Sequence, residues 1–397
     1  MSGGEDAVGF IREGAIAAEG GRIAWVGPGD KLPDAPERCA RDVVKLGPNT
    51  LLTPGLIDPH THLVYAGNRV SEFDLRIGGL TYAEIAQRGG GIQTTVDFTR
   101  GASFEELLTA ASRRLEMMIG FGVTTVEIKS GYGLDRDTEL KMLRIARALG
   151  EKYPVDVRTT FLGAHTLPRE FAGRREAYLM LVCDVLREAA SEGLIDAVDA
   201  FCESIAFSAV EVRSVFRVAQ ELKIPVKVHA AQLGYGDGAM LAAAFHALSA
   251  DHCEYLHDSD VELLKNAGVV VVLLPTASYF VGEAQLPPVN ALRAAGVPIA
   301  LATDCNPGTS PNLSLPLVMN MACVRFGLHT WEALQGVTVH AARALGIGER
   351  TGSLEKGKDA DFAIWQAQSP SELAYNFGQT RCLGTVKRGR GVAGMKT

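Results

Sequence analysis

Eight short apolar runs alternate with stretches of helical periodicity through the middle of the chain, and this alternation limits the fold more than any other feature. The runs are Leu51–Ile57, Val123–Ile128, Val155–Phe161, Ala197–Cys202, Val226–Val228, Ala250–Tyr255, Val269–Leu274 and Ile299–Ala302. Between them lie segments such as SFEELLTAASRRLEMMIGFG and DTELKMLRIARALGEK, whose apolar residues recur every three to four positions. Short continuous apolar runs read as strands covered on both faces, and intervening helices make them parallel. Eight such units predict an α/β fold, a (β/α)8 TIM barrel. An open doubly wound sheet is the alternative. It would call for a phosphate loop or dinucleotide fingerprint, and no GxGxxG follows the first run.

The two ends have another character. In GAIAAEGGRIAWVGPGDKL the runs Ala15–Ala18 and Ile23–Val26 are joined by Glu19-Gly20-Gly21, a hairpin signal. Near the other end, GSLEKGKDADFAIWQ holds a turn around Lys356-Gly357-Lys358 and a strand, Phe362–Trp365, and TVKRGRGV supplies one more strand and turn. Residues 1–48 and 346–397 are therefore expected to pair as one discontinuous β-sandwich domain, with residues 49–345 forming the barrel.

With 47% hydrophobic and 21% charged residues in 397, the chain can bury a large core. A net charge of −7 and no basic run argue against a nucleic-acid partner. No apolar run approaches the ~20 residues of a membrane span. The opening MSGGEDAVGFIREG lacks a basic and an apolar region, so no secretory leader is expected. The seven cysteines are odd in number and form no CxxC pair, which points to reduced thiols, a cytoplasmic location and no cysteine-based zinc site.

In a (β/α)8 barrel the chemistry lies at the C-terminal strand ends. The eight runs lead into Asp58-Pro59-His60-Thr61-His62, Lys129-Ser130-Gly131-Tyr132-Gly133, Gly163-Ala164-His165, Cys202-Glu203-Ser204, His229-Ala230-Ala231-Gln232, Asp251-His252-Cys253, Pro275-Thr276 and Thr303-Asp304-Cys305-Asn306-Pro307-Gly308-Thr309. Five of the nine histidines fall there, which makes them site candidates. The other four, His246, His257, His329 and His340, read as packed or solvated. His60 and His62 are two apart, so the pleat puts both on one face, where two imidazoles can share one divalent ion. His229 and Asp304 are the candidates to complete the shell. The same period turns Cys305 away from the ion, toward packing. Glu203 is open between orienting a ligand or His165 and serving as a loop carboxylate.

TPGLIDPHTH, the VHA around His229 and the ATD ending at Asp304 resemble the amidohydrolase superfamily of metal-dependent hydrolases, over essentially the whole chain. HLVYAGNR, EIKSGYGL, FLGAHTLP and ATDCNPGTS are similar to those members that open the imidazolone ring in histidine degradation. The resemblance implies hydrolysis of the cyclic-amide C–N bond of 4-imidazolone-5-propanoate to N-formimino-L-glutamate by a metal-activated water. It implies metal ligation by His60, His62, His229 and Asp304, and substrate contacts from Arg69, Tyr132, His165, Gln232, Asn306, Gly308 and Thr309. His252 would be the acid/base group, with Asp304 sharing the proton traffic and His165 helping to stabilise the oxyanion. Binuclear relatives carry a carboxylated lysine at the fourth strand. Here that strand ends in Cys202-Glu203-Ser204 and Lys129 ends the second, so one zinc or iron ion is expected. The resemblance also implies a homodimer, and a further strand upstream of the hairpin, leaving the small β domain one strand short.

Elementary chemistry agrees with these roles. The guanidinium of Arg69 forms a fork for a propionate. Tyr132 sits in a glycine-flanked turn that can present its phenol, and Gln232 can hydrogen-bond but has no proton to trade. The histidine pKa near 6.5 lets His252 shuttle a proton. A deaminase of the same superfamily is the second reading, but the anion-binding set disfavours an aromatic base. A binding protein is the third, disfavoured because all four ligands are present.

Overall fold

The computed structural model describes residues 5–80, 90–379 and 381–392. The barrel consists of eight parallel strands: β4 (Leu56–Asp58), β5 (Val123–Lys129), β6 (Asp156–Ala164), β7 (Ala197–Cys202), β8 (Lys227–Ala230), β9 (Ser249–His252), β10 (Val270–Leu273) and β11 (Ile299–Leu301). Each pairs with its sequence neighbour, from β4 through to β11. The ring closes beyond the ends of β4 and β11, where Thr61 and Cys305 form a parallel bridge. The amide of Asp304 donates to His60 O at 3.0 Å, and that of His62 to Cys305 O at 3.0 Å. Closure thus occurs on the residues expected to hold the metal.

Local signals explain the helices. Ser103 caps the helix Phe104–Gly120 and Glu106 returns the bond, a complete capping box. Its buried Leu107, Ala111, Leu115 and Met118 recur at helical spacing and face the strands. Ser208 and Glu211 repeat the device on Ala209–Glu221. Asp135 caps Arg136–Lys152 by accepting the amide of Thr138. Among the described residues no helix is long and apolar enough to cross a membrane, and all seven cysteines are free thiols.

The chain ends build a small β-sandwich beside the barrel. β1 (Gly14–Glu19) and β2 (Arg22–Pro28) form the hairpin, with Ala17 opposite Trp25. A four-stranded sheet has the order β14–β13–β12–β3, from β3 (Thr50–Pro54), β12 (Phe362–Gln366), β13 (Cys382–Lys387) and β14 (Arg390–Val392). The two pieces meet where Ile23 exchanges backbone bonds with Gly357 and Lys358, both at 2.8 Å.

The run Leu51–Ile57, read from sequence as one barrel strand, is two strands in different sheets. β3 pairs antiparallel with β12 and only β4 enters the barrel. The chain changes sheet at Gly55, where an added Cβ would lie 2.1 Å from Thr124 Oγ1. A division at 48/49 leaves β3 with the barrel, whereas its hydrogen bonds put it with the C-terminal strands. Two further runs shift. β9 ends at His252 instead of Tyr255, and Pro275 and Thr276 open a helix, Pro275–Val281. The sandwich is locked to the barrel floor at Asp156, the first residue of β6, which pairs with Lys387 at 3.0 Å, with Arg388 at 3.3 Å and with Arg350. Buried Trp365 donates from Nε1 to Thr53 Oγ1 at 2.9 Å, joining β12 to β3.

Candidate active site

The five strand-end histidines converge at one mouth of the barrel. Ring centroids lie 5.3 Å apart for His60 and His62, 4.5 Å for His60 and His229, and 5.6 Å for His62 and His229. Asp304 Oδ1 is 3.5 Å from Nε2 of both His60 and His62. All four side chains are buried. The Nε2 atoms of His60 and His229 have no hydrogen-bond partner. A buried ring nitrogen without a partner is costly unless something occupies its lone pair. Imidazoles and a carboxylate around one point are the donor set of zinc or iron, so these residues fit a metal ion. Two overlapping groups meet the spacing for one ion: His60, His62 and Asp304, and His60, His229 and His252. Burial drives His60 and His62 well below the usual histidine pKa, keeping them neutral as ligands must be. Burial also pushes the Asp304 carboxyl up to about 6.

His252 neighbours His60 and His229, with centroids at 5.8 and 5.4 Å. Its φ is +79° and that of Cys253 is +64°, a left-handed kink that ends β9. Burial disfavours its charge, but Glu254, with Oε2 3.8 Å from Nδ1, together with Asp304 and Asp251 outweighs this and raises its pKa. His165 stacks on His62 at 5.3 Å. Its Nδ1 is 2.9 Å from the carbonyl of Gly131, so Nδ1 carries the proton. Burial pushes its pKa down to about 3, which keeps the ring neutral. Nε2 then holds a lone pair and can only accept. The expected part in stabilising an oxyanion needs a donor, so it does not fit this tautomer.

Tyr132 is buried 5.6 Å from the ring of His62 and 5.4 Å from that of His165. Its turn is fixed by Glu139, whose carboxylate accepts the amides of Gly131, Gly133 and Leu134 at 2.8–3.2 Å. Gly131 has φ +105°, a conformation that excludes a side chain at little cost only for glycine. Arg69 gives Nε and Nη2 to Glu72 Oε2 at 2.9 and 2.5 Å. A Cβ on Gly308 would lie 2.1 Å from Arg69 Nη1, so the absent side chain is what lets the guanidinium reach the loop after β11. Asn306 is committed to that loop: its Oδ1 accepts the amides of Gly308 and Thr309 at 2.9 and 2.7 Å. Its Nδ2 donates to Asp304 O and Thr309 Oγ1. Gln232 lies at the mouth, half-buried, in the loop after β8. Glu203 resolves as a loop carboxylate, accepting the amides of Gln232 and Leu233 at 2.6 and 3.2 Å. Cys305 packs in the core as expected.

The remaining histidines lie apart from this cluster. His246 is exposed near Ala267 O, His257 stacks on Tyr235, His329 stacks on Trp331 and His340 bonds Ile299 O.

Sequence reasoning missed the layer beneath the histidines. Glu127, Lys129, Asp199, Lys227 and Asp251 are fully buried inside the barrel. Lys129 Nζ is 2.8 Å from Glu127 Oε2 and 2.7 Å from Asp199 Oδ2, so it is an ion-paired ammonium. Burial works against that charge, yet the three surrounding carboxylates raise its pKa. Burial likewise penalises Asp199, but Lys129 and His229 hold it well below the usual carboxylate range. The available signal was the charge itself: Glu127 and Lys129 are two apart within an apolar strand, hence on one face. Glu139 had a similar mark, sharing a helix face with Leu143 and Ala146.

A sequence profile of the amidohydrolase family matches residues 51–392. The chain is 53% identical to an imidazolonepropionase of Cupriavidus metallidurans over 381 residues, covering 96% of this chain and 91% of that protein. It is 54% identical to one of Ralstonia nicotianae over 385 residues, covering 97% and 94%. The chain belongs to the imidazolonepropionases of the amidohydrolase family. Solved structures share its fold at much lower identity. Guanine deaminase of E. coli superposes with a TM-score of 0.73 at 15% identity, covering 96% of this chain and 93% of that one. A zinc-bound adenosine deaminase of Xanthomonas campestris superposes with a TM-score of 0.69 at 20% identity, covering 96% and 88%. At such identities the likeness shows the barrel and its sandwich.

Proposed function

We propose that this imidazolonepropionase-family chain hydrolyses 4-imidazolone-5-propanoate to N-formimino-L-glutamate with one zinc or iron ion held by His60, His62, His229 and Asp304. The observation that carries the reading is that full-length relatives of one activity match a chain whose buried, unpartnered imidazole nitrogens converge at the barrel mouth, where Arg69 packs on Gly308 of the loop after Asp304. The reaction adds the hydroxyl of water to the ring carbonyl carbon and its proton to the departing ring nitrogen. A bound ion supplies water of lowered pKa and a Lewis acid for the carbonyl.

The chain's own groups do the rest. Arg69 spends one edge on Glu72 and leaves Nη1 beside Gly308, an edge suited to the propionate. His165 offers the Nε2 lone pair, which suits a ring N–H of the substrate. Tyr132 and Gln232 add hydrogen bonds at the wall, and the Asn306–Thr309 loop holds Gly308 against Arg69. His252, its charge favoured by Glu254, delivers a proton to the leaving nitrogen. Asp304, beside Nε2 of His60 and His62, shares the proton transfer with His252.

The deaminase reading loses to the relatives' identity and to Arg69. We place the enzyme in the cytoplasm, in keeping with seven free thiols. We also propose a homodimer, checked by light scattering, where a monomeric mass would contradict it. Turnover tests the activity. Protein loaded with stoichiometric zinc or iron should consume the imidazolone, seen as loss of its ultraviolet absorbance. Metal-loaded protein that leaves the substrate intact would sink the proposal.

A further inference from the structure

The buried charges beneath the histidines do more than fill the barrel. Asp251 Oδ2 lies 2.6 Å from His60 Nδ1. Asp199 Oδ2 lies 3.1 Å from His229 Nδ1. Each contact falls on Nδ1, as a hydrogen bond for His60 and as an ion pair short of a formed hydrogen bond for His229, while the Nε2 atoms of both rings are unpartnered. Both carboxylates are in turn set by ammonium groups. Lys129 Nζ is 2.7 Å from Asp199 and 3.8 Å from Asp251. Lys227 Nζ is 3.7 Å from Asp251 and donates to Pro59 O at 2.7 Å, just before His60. Glu127 joins the two lysines, with Oε2 2.8 Å from Lys129 and Oε1 2.9 Å from Lys227. Thr160 Oγ1 donates to Glu127 at 2.5 Å. All five charged side chains have zero exposure.

We propose that Asp251 and Asp199 are positioning residues for the metal ligands: held by the buried Lys129–Glu127–Lys227 relay, they fix His60 and His229 as Nδ1–H tautomers and aim both Nε2 lone pairs at one point. A carboxylate accepting from the far nitrogen of a ligating histidine fixes its tautomer and raises its basicity. A carboxylate alone in the interior would be costly, and the lysines offset that cost. Two ammoniums against three carboxylates leave one negative charge below the site, complementary to a cation above it. His62 differs, because among the described residues its ion pair with a carboxylate falls on Nε2, to Asp304, and none falls on Nδ1. The device therefore serves two of the three histidines. The inference rests on the proposed metal site but is read from zinc affinity, so a failed turnover assay would leave it standing or falling by itself.

The competing account is that these residues merely plug the barrel. Asp251→Asn removes a charge and unbalances the relay, so it alone would disturb either a plug or a positioner. Asp251→Asn with Lys227→Met restores the balance, and Asp199→Asn with Lys129→Met does so on the other arm. Zinc affinity is measured by chelator competition, and thermal midpoints are taken for the metal-free proteins. Each Asp→Asn change should weaken zinc by about 10–100-fold. The paired lysine change should recover the thermal midpoint without recovering the affinity. Wild-type affinity in either Asp→Asn variant, or affinity restored in the balanced pairs, overturns the proposal. Should the variants fail to fold, the wild-type protein decides. In metal-free protein with 15N-labelled histidine, His60 and His229 should carry the proton on Nδ1. A proton on Nε2 of either ring overturns the assignment.

Discussion

Replacing Arg69 probes the reading of the substrate's tail. Its guanidinium has five N–H bonds. Nε and Nη2 each give one to Glu72 Oε2, and the Nη1 side faces Gly308. That leaves an edge able to receive a carboxylate side by side. Charge-assisted hydrogen bonds contribute about 1.5–3 kcal/mol each. Glu72 already compensates part of the charge, so two such bonds are set at about 2–4 kcal/mol. At about 1.36 kcal/mol per decade, Arg69→Ala should lower kcat/KM roughly 30- to 1000-fold. Binding lost equally in ground and transition states appears in KM, so most of the loss should be there. The change also strands Glu72, which is buried and, among the described residues, would keep the amide of Gly91 at 3.1 Å as its one remaining hydrogen bond. Arg69→Ala with Glu72→Ala removes both charges and should lose the same factor, which separates propionate binding from damage to the pocket wall. The assay follows imidazolone absorbance over a range of concentrations, with the propionate and with its methyl ester. Wild type should lose the same factor on the ester, and Arg69→Ala should lose nothing further. An unchanged kcat/KM on the acid, or an equal fall on acid and ester, refutes the assignment.

Other outcomes follow from the same geometry. His252→Gln should cut kcat about 10²- to 10⁴-fold while zinc stays bound; zinc lost with His252 would place it among the ligands. His165 has its pKa lowered, so its neutral form persists as pH falls, and in the metal-free protein its NMR signals should not titrate until about pH 3. Titration near 6.5 contradicts the buried Nδ1–H tautomer. Glu139→Ala leaves three buried amides without their acceptor at a cost of about 1–3 kcal/mol each. It should therefore lower the thermal midpoint and raise KM through Tyr132, and a variant matching wild type in both would remove Glu139 from the account.

The barrel was legible because its strands are buried on both faces and its helices on one, a difference visible in the spacing of apolar residues alone. The sheet change at Gly55 was not, because β3 and β4 form one unbroken apolar run and only their partners differ. In the site, the strand-end histidines declared themselves by position, and so did Asp304. The role of Glu203 did not. It is decided by amides of the following loop, 29 and 30 residues onward. Asn306 looked like a substrate contact, yet its amide is consumed in holding its own loop. His165 looked like a donor until the Gly131 carbonyl fixed its proton on the other nitrogen. The buried relay was hardest to see, since Glu127, Lys129, Asp199, Lys227 and Asp251 come from four strands and meet only when the barrel closes.

Crystals of the zinc-loaded protein, measured just above and just below the zinc edge, test the central claim most directly. The account predicts one anomalous peak per subunit, within ligand distance of Nε2 of His60, His62 and His229 and of Asp304. A peak seated elsewhere, such as among Asp156, Asp359 and Asp361, or two peaks at the barrel mouth, would contradict it.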